Sequence, residues 1–451
     1  MTDIETIVLQ QAQNLPRYTS YPPANHFKAG EGLLLVKKLL TAARGVDALS
    51  IYIHIPYCDR LCWFCGCHTK QTLSYEPITN YVKALVREIE GFGQRLGARK
   101  RISKIHLGGG SPSLLRAHEL SRIRKALELV GKISDATEVS LEVDPSDIKS
   151  HSISDFLVFG MTRASIGVQD FDPAVQQAIN RPQSFELTRD VVNSLRGAGV
   201  KSLNIDALYG LPLQTQERLQ DSISKVVSLS PDRIALFGYA HVPWVKPHQK
   251  MIKDADLPSQ LDRFRGSKWA AKKIASEGYQ SIGIDHFAKP EDSLAIATRT
   301  GKLKRNFQGY TDDVSDVIIG FGASSISQFP GGYVQNEVAT GRYIAAVGQA
   351  RQPGAKGLLL SEDDVVRAWI IERLMCSFTF SRLDLSTRFG VIADQYWQEA
   401  IRAAAEDPDR LCEIRDEQFE IRIEARPLVR VVASKFDGWV NSTKFQYSKA
   451  I

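Results

Sequence analysis

Between residues 49 and 240, short apolar runs of alternating character take turns with longer amphipathic stretches. The first run, LSIYIHIP (49–56), sets Ile51, Ile53 and Ile55 on one face and Tyr52 and His54 on the other, the period of a strand. Ile78, Tyr81, Val82, Leu85, Val86 and Ile89 then recur at i, i+3, i+4 spacing and predict a helix. Strand-like runs return at KIHL (104–107), EVSLEV (138–143), RASIGV (163–168), SLNIDAL (202–208) and RIALFGYA (233–240). Amphipathic helical stretches separate them, such as RLQDSISKVVSL (218–229) and DRFRGSKWAAKKIAS (262–276). About six β/α units in succession predict a parallel sheet, either doubly wound or curled into a barrel.

In such sheets chemistry gathers at the C-terminal ends of the strands. GGGSPS (108–113), EVDP (142–145), VQDF (168–171), IDALYGLP (205–212) and GYAH (238–241) all fall there. Beyond about residue 340 the strand pattern fades. SEDDVVRAWIIERLMCSF (361–378) and STRFGVIADQYWQEAIRAAAED (386–407) read as amphipathic helices, with Ser361 as an N-cap. The stretch LPRYTSYPPA (15–24), ahead of the first strand, is too rich in Pro and Tyr for a helix. No internal repeat appears beyond the β/α rhythm, and no low-complexity segment.

A composition of 43% hydrophobic and 24% charged residues is that of an ordinary globular protein, and 451 residues are enough for two domains. The net charge of +6 is mild and diffuse, so it gives no argument for nucleic acid. MTDIETIVLQQ lacks the basic-then-apolar pattern of a signal peptide, and no apolar run approaches a membrane span. The expectation is a cytoplasmic protein without membrane or nucleic-acid partners. There, clustered cysteines mean metal binding or redox chemistry rather than structural disulfides.

Four of the six cysteines stand within CDRLCWFCGC (58–67): Cys58, Cys62, Cys65 and Cys67. Four unconnected buried thiols are improbable, since the rest of the chain holds only Cys376 and Cys412. A redox pair of Cys62 and Cys65 leaves Cys58 unexplained. Zinc normally takes two ligand pairs separated by a longer loop, and nearby His68 is a poor substitute for the second. An iron–sulfur cluster suits soft thiolates better.

The C-x3-C-x2-C interval is not that of ferredoxins and resembles the signature of the radical S-adenosylmethionine (SAM) enzymes. Three thiolates there hold a [4Fe–4S] cluster whose open iron chelates SAM. More of the chain points the same way. PRYTSYP, YIHIPYC…CWFCGC, HLGGGSPS, EVDP, GVQDF, NIDALYGLP, YAH, DHFA, RNFQGYT and GASSIS together resemble the oxygen-independent coproporphyrinogen III oxidases (dehydrogenases), nearly end to end.

The resemblance implies a partial (β/α)6 radical SAM barrel, an α/β fold. It would span residues 46–340, after an N-terminal arm (1–45) and before a mainly helical C-terminal domain (341–451). It implies oxidative decarboxylation of two propionates of coproporphyrinogen III to vinyls, started by a 5′-deoxyadenosyl radical from reductive cleavage of SAM. Cys58, Cys62 and Cys65 match the cluster ligands. Tyr52, Phe64, Gly109, Glu142 and Ile326 match positions around the SAM bound to the cluster. Gly110, Ser111, Gln169, Arg181, Asp206 and Ala240 match contacts to a second SAM molecule. An electron donor such as flavodoxin or ferredoxin and a monomeric state are implied as well.

Elementary chemistry bears on several of these positions. Gly108, Gly109 and Gly110 would let backbone amides approach a ligand that a Cβ would obstruct, although a plain strand-ending turn is as common a use. Glu142 and Asp206, read as strand-end acids, would accept hydrogen bonds from ribose hydroxyls or a ligand amine; a lone strand-end acid is more often a helix cap. His54 and His286 read as satisfied core histidines. Four substrate propionates call for cations, for which Arg17, Lys304 and Arg305 are the candidates. Ser111 and Ser113 stand where threonines are usual in the family, and the chain's end lacks the family's usual glycine and asparagine. The alternative in another class is a haem-binding chaperone, which shares the barrel and the cluster loop. Such relatives generally have an aromatic residue where Cys67 stands and lack PRYTSYP.

Overall fold

The computed structural model describes residues 3–11, 14–148, 152–440 and 447. Six strands follow the predicted runs: β1 (Ala48–Ile55), β2 (Lys100–Gly109), β3 (Glu138–Val143), β4 (Arg163–Gln169), β5 (Ser202–Tyr209) and β6 (Arg233–Gly238). They lie side by side in chain order and all neighbours are parallel. Helices cross between them, as in Glu76–Leu96, Phe185–Gly197, Gln216–Ser228 and Gln260–Ser276. The Glu76–Leu96 helix opens with a Pro in its first turn and stops at Gly97, whose φ of +72° suits glycine. Its predicted stripe, Ile78 to Ile89, is buried, and each such side chain contributes about 1.5–3 kcal/mol.

Parallel register aligns the faces. Tyr52 lies opposite His106, Glu142 opposite Ser165 and Gly167 opposite Asp206. Ile51, Ile53 and Ile55 on the alternate face are at most 1% exposed in the main core. The interior face of the half-barrel is therefore polar while the face under the helices is dry, which is the arrangement a binding site needs.

The sheet extends further than the pattern predicts. β7 (His286–Ala288) closes antiparallel on β6, and β8 (Ile318–Phe321) adds a seventh parallel strand on the far side of β1. β9 (Ile326–Phe329), β10 (Gly332–Asn336) and β11 (Gly354–Leu359) continue it antiparallel. Strands of three to five residues show too few periods to count, and the two glycines of β11 break its alternation, so these were not legible as such. Buried Glu88 ties this extension to the helix over β1. It accepts from the Gly322 amide (2.8 Å), Asn336 Nδ2 (2.7 Å) and the Tyr343 hydroxyl (2.6 Å). β11 belongs to this sheet although it lies past residue 340.

The C-terminal region has its own core, from Val366 to Phe436, joined by Val8, Leu15, Tyr18 and Tyr21 of the arm and by Phe264. Ser361 caps its first helix (Glu362–Ser377) as expected, accepting from the Asp364 amide at 3.1 Å. The stretch 386–407 is not one helix. Arg382–Phe389 ends at Gly390, whose φ is +62°, and Ala393–Ala405 starts anew. A three-stranded antiparallel sheet of Thr379–Ser381, Gln418–Ile421 and Cys412–Arg415 completes this region. Among the described residues no helix is long and apolar enough to cross a membrane.

Candidate functional site

β1 runs straight into the cysteine loop, whose base is closed by pairing of Tyr57–Cys58 with Lys70–Gln71. The loop is then pinned from outside, through its own carbonyls. Asn180 Nδ2 donates to Leu61 O (2.9 Å), Gln249 Nε2 to Phe64 O (2.9 Å), His248 Nε2 lies 2.7 Å from Cys65 O, and Lys246 Nζ donates to Cys67 O (3.0 Å). These partners come from the segments after β4 and β6. Nothing in a Pro-rich loop read alone marks Lys246, His248 and Gln249 as its supports.

Three thiols face the interior with different partners. Cys58 Sγ lies 2.9 Å from Thr69 Oγ1, Cys62 Sγ accepts from Arg181 Nη1 at 3.6 Å, and Cys65 Sγ accepts from the Cys67 amide at 3.4 Å. Burial pushes the Cys58 thiol up to about 12 and raises Cys62, whereas hydrogen bonding from Cys67 holds Cys65 down at about 7. The charge of Cys65 raises both Cys58 and Cys62, and that of Cys62 raises Cys58. Yet among the described residues no three His, Cys, Asp or Glu side chains form a group that could hold a metal ion. Three free thiols on one short loop are nonetheless the soft donor set that an iron–sulfur cluster takes. Cys67, left open by the sequence, pairs with Cys65 through both its amide and its thiol.

The glycines serve the chain itself. The amide of Gly109 donates to Glu142 Oε2 (3.0 Å), that of Gly110 to Ile55 O (2.8 Å) and that of Ser111 to Tyr57 O (2.8 Å). The amides of Gly109 and Gly110 are therefore engaged internally, as in the plain strand-ending turn that the sequence left open, and so is that of Ser111. The glycines permit contact between strands. A Cβ on Gly110 would meet Tyr57 O at 2.6 Å, and one on Gly109 would meet the His54 ring at 2.4 Å. With φ of +112° at Gly109 as well, Gly109→Ala is expected to lower the free energy of unfolding by about 3 kcal/mol, read from urea melts.

Glu142 is held by two partners. Desolvation alone would raise it, but His106 Nε2 at 3.1 Å and the Gly109 amide keep it below the usual range. Tyr52 stacks on that same His106, with centroids 5.8 Å apart, and its hydroxyl lies 3.0 Å from His54 Nδ1. His106 was missed in the sequence because a single polar residue within KIHL looks like ordinary alternation. His54 is a satisfied core histidine as expected: 5% exposed, held by His68 O at 2.8 Å and pushed down to about 4 by burial.

Asp206 is not at a strand end, since β5 runs on to Tyr209. It accepts from Asn204 Nδ2 (2.7 Å) and Ser165 Oγ (3.2 Å), and desolvation with the charge of Glu142 raises it to about 6. Gln169 ends β4 at a register shift with φ of +73°, a conformation non-glycine residues avoid and functional sites often hold. Arg181 is 8% exposed and donates to Asp144 Oδ2 (2.8 Å), Gly167 O (2.9 Å) and Cys62. The Ser111 hydroxyl is buried on Asp147, with Ser113 Oγ 2.9 Å away. The Phe64 side chain packs against a small core that includes Val175, Leu208 and Tyr239; the Ala240 carbonyl takes Gln249 Nε2 at 3.2 Å. Ile326 opens β9, packed with Phe27 and Tyr333.

A cavity of about 750 Å³ opens at the ends of β5 and β6, between Tyr209, Phe237–His241, Arg17, Arg263, Arg305 and Arg430. Arg17 and Arg305 thus stand together as expected. Lys304 does not join them: it pairs with Asp316 at 2.8 Å and lines a different cavity. His286 is not a plain core residue either. It lies in the cavity wall with Nδ1 2.6 Å from Asp285 Oδ1.

Residues 52–226 match the family model of the radical SAM superfamily. The chain is 42% identical to an oxygen-independent coproporphyrinogen III oxidase of Cereibacter sphaeroides, over 97% of this chain and 96% of that protein. It is 39% identical to the protein of the same name from Bradyrhizobium diazoefficiens, over 97% and 98%. The solved coproporphyrinogen III oxidase of Escherichia coli, a radical SAM enzyme, superposes with a TM-score of 0.89 at 34% identity, covering 95% of this chain and all of that one. With the cysteine loop, the polar strand ends and this end-to-end likeness in view, the chain belongs to the oxygen-independent coproporphyrinogen III oxidase family of radical SAM enzymes.

Proposed function

We propose that this chain decarboxylates two propionates of coproporphyrinogen III to vinyls, giving protoporphyrinogen IX. The observation that carries the reading is a shared location. The thiol loop, the carboxylates Glu142 and Asp206, and an arginine-lined cavity all meet around the C-terminal ends of β1 to β6. Cys58, Cys62 and Cys65 would hold the [4Fe–4S] cluster. Tyr52, Phe64, Gly109, Glu142 and Ile326 would surround the SAM bound to it. When bound, cluster and SAM supply one-electron chemistry, the reductive cleavage of SAM and hydrogen abstraction from a propionate β-carbon.

The chain's own residues hold these parts in register. Arg181 supports the Cys62 thiolate with a charged N–H donor. Glu142, ionised and fixed by His106 and Gly109, is ready to accept a ligand amine or hydroxyl without reorganising. A second SAM would rest on Gln169, Asp206 and Ala240, with Gly110, Ser111 and Arg181 shaping the wall behind them. Each SAM cleavage consumes an electron from outside, so the reading includes a donor such as flavodoxin or ferredoxin. The reading also takes the catalyst to be a monomer, as the family likeness implies.

The test is anaerobic turnover of the reconstituted protein with SAM, a low-potential reductant, coproporphyrinogen III and cell extract to supply the acceptor. Hydrogen abstraction needs the reacting atoms within about 3–3.5 Å, a placement only a matched cavity provides. The expected products are 5′-deoxyadenosine with mono-vinyl and then di-vinyl porphyrinogen. Stoichiometric haem binding without vinyl product would overturn the reading in favour of a haem chaperone.

A further inference from the structure

We propose that Arg263 and Arg430 complete, with Arg17 and Arg305, an anchor for the propionates that the substrate keeps rather than for the two it loses; this rests on the function proposed above. The four guanidinium groups come from regions far apart in the chain. Arg17 lies in the arm, Arg263 in the Gln260–Ser276 helix, Arg305 on the Lys304–Asn306 strand and Arg430 in the Val429–Ser434 helix. All four line the one cavity, and their charges act on one another: Arg17 feels Arg305 and Arg263, and Arg430 feels Arg17 and Arg305. Burial, reinforced by that repulsion, pushes Arg430 down to about 9.

The acidic groups facing them do not balance this charge. Asp285 acts on Arg17 and Arg305 as well as on His286 at 2.6 Å, and Asp254 sits exposed at the rim, 2.9 Å from His241, so these two carboxylates face four guanidiniums. Arg263 Nε and both Nε and Nη1 of Arg305 have no hydrogen-bond partner. Crowded, partly unpaired guanidiniums in a concave site are compensated by a ligand carrying several carboxylates, not by a neutral one.

Chemistry decides which carboxylates. A guanidinium clamp stabilises a carboxylate as an anion, and a reacting propionate must lose that charge as it leaves as carbon dioxide. Such a grip would favour the ground state over the transition state. The propionates that persist into the product gain only affinity and orientation from it. Location agrees, because none of the described residues lining the cavity belongs to the thiol loop, and Ala240 of its wall reaches that loop through Gln249, which donates to the Ala240 and Phe64 carbonyls. A cyclic tetrapyrrole anchored by the arginines would extend its remaining side chains toward that wall. Arg430, besides lining the cavity, also positions its neighbour. It donates to the carbonyls of Leu15 and Pro16, which presents the adjoining Arg17 to the cavity.

The test titrates the reconstituted full-length protein, under anaerobic conditions, with two stable oxidised probes followed by fluorescence quenching. Coproporphyrin III carries all four propionates and protoporphyrin IX only the two that are kept. Arg263→Ala is expected to weaken both probes by a similar factor, about tenfold, as loss of a charged hydrogen bond predicts, with iron content unchanged. Arg263→Lys should recover part of the loss, and KM should rise more than kcat falls. Weakening of coproporphyrin alone would assign the arginines to the reacting propionates and overturn the proposal. Unaltered affinity for both probes in Arg263→Ala would overturn it too. Failure of the wild-type protein to bind either probe would instead sink the functional reading beneath it.

Discussion

Cys62→Ala is expected to leave the protein without its cluster, with iron and sulfide near background after anaerobic reconstitution and no vinyl product. The Cys62 thiol is 9% exposed and its partner Arg181 is buried, so no solvent ligand takes its place cleanly. No other cysteine is free to substitute. Cys67 is occupied with Cys65, Cys376 packs with Leu294, Leu303 and Tyr310, and Cys412 lies in the C-terminal core. Changes to groups that merely support a metal ligand cost about 10–100-fold in affinity, and removal of the ligand itself exceeds that. Cys58→Ala and Cys65→Ala should behave alike. Full iron content together with SAM cleavage in any of the three would remove the assignment.

Asp206→Asn is expected to separate stability from activity. The Asp206 carboxyl is raised to about 6 by desolvation and then by the charge of Glu142, against the pull of Asn204, His286 and Ser165. Between the ordinary value near 4 and this one, the folded protein holds a proton that the unfolded chain has lost. Folding stability therefore falls as pH rises through that window and stays lower above it. Asparagine carries no charge to desolvate. Above pH 6 the variant should be more stable by about 1–3 kcal/mol, an advantage that shrinks below pH 6 and is gone below about 4. Porphyrinogen conversion should drop at least about 100-fold while iron content holds, because a site that keeps two carboxylates close is one that uses them. Thermal melts at pH 5 and 8 beside an anaerobic assay check both halves. Near wild-type conversion, or a variant less stable at pH 8, would count against a ligand role for Asp206.

Which parts were legible follows from the range of the forces involved. The six parallel strands announced themselves because each buries one face under helices, and burial imposes alternation that can be counted over six to ten residues. The helix from Glu76 to Leu96 was legible for the same reason at the helical period. Gly390 was not weighed as a breaker inside 386–407, although its left-handed backbone splits that stretch into two helices. β8 to β11 escaped because each is short and owes its existence to a neighbour already in place.

By itself the sequence determined the rhythm of strands and helices, the C-x3-C-x2-C loop at the end of the first strand, and the kinship that the remaining motifs carry. These are local properties, written in periods and spacings. Only the tertiary structure decided what surrounds them. It turned the Gly109, Gly110 and Ser111 amides inward, moved Lys304 away from Arg17, and set His106 against Glu142. It also brought Arg263 and Arg430, residues from an ordinary amphipathic helix and from the last described helix, into the cavity with Arg17 and Arg305. Hydrogen bonds and charge repulsion act over a few ångströms, and residues hundreds of positions apart come that close only once the sheet, the arm and the C-terminal core have packed.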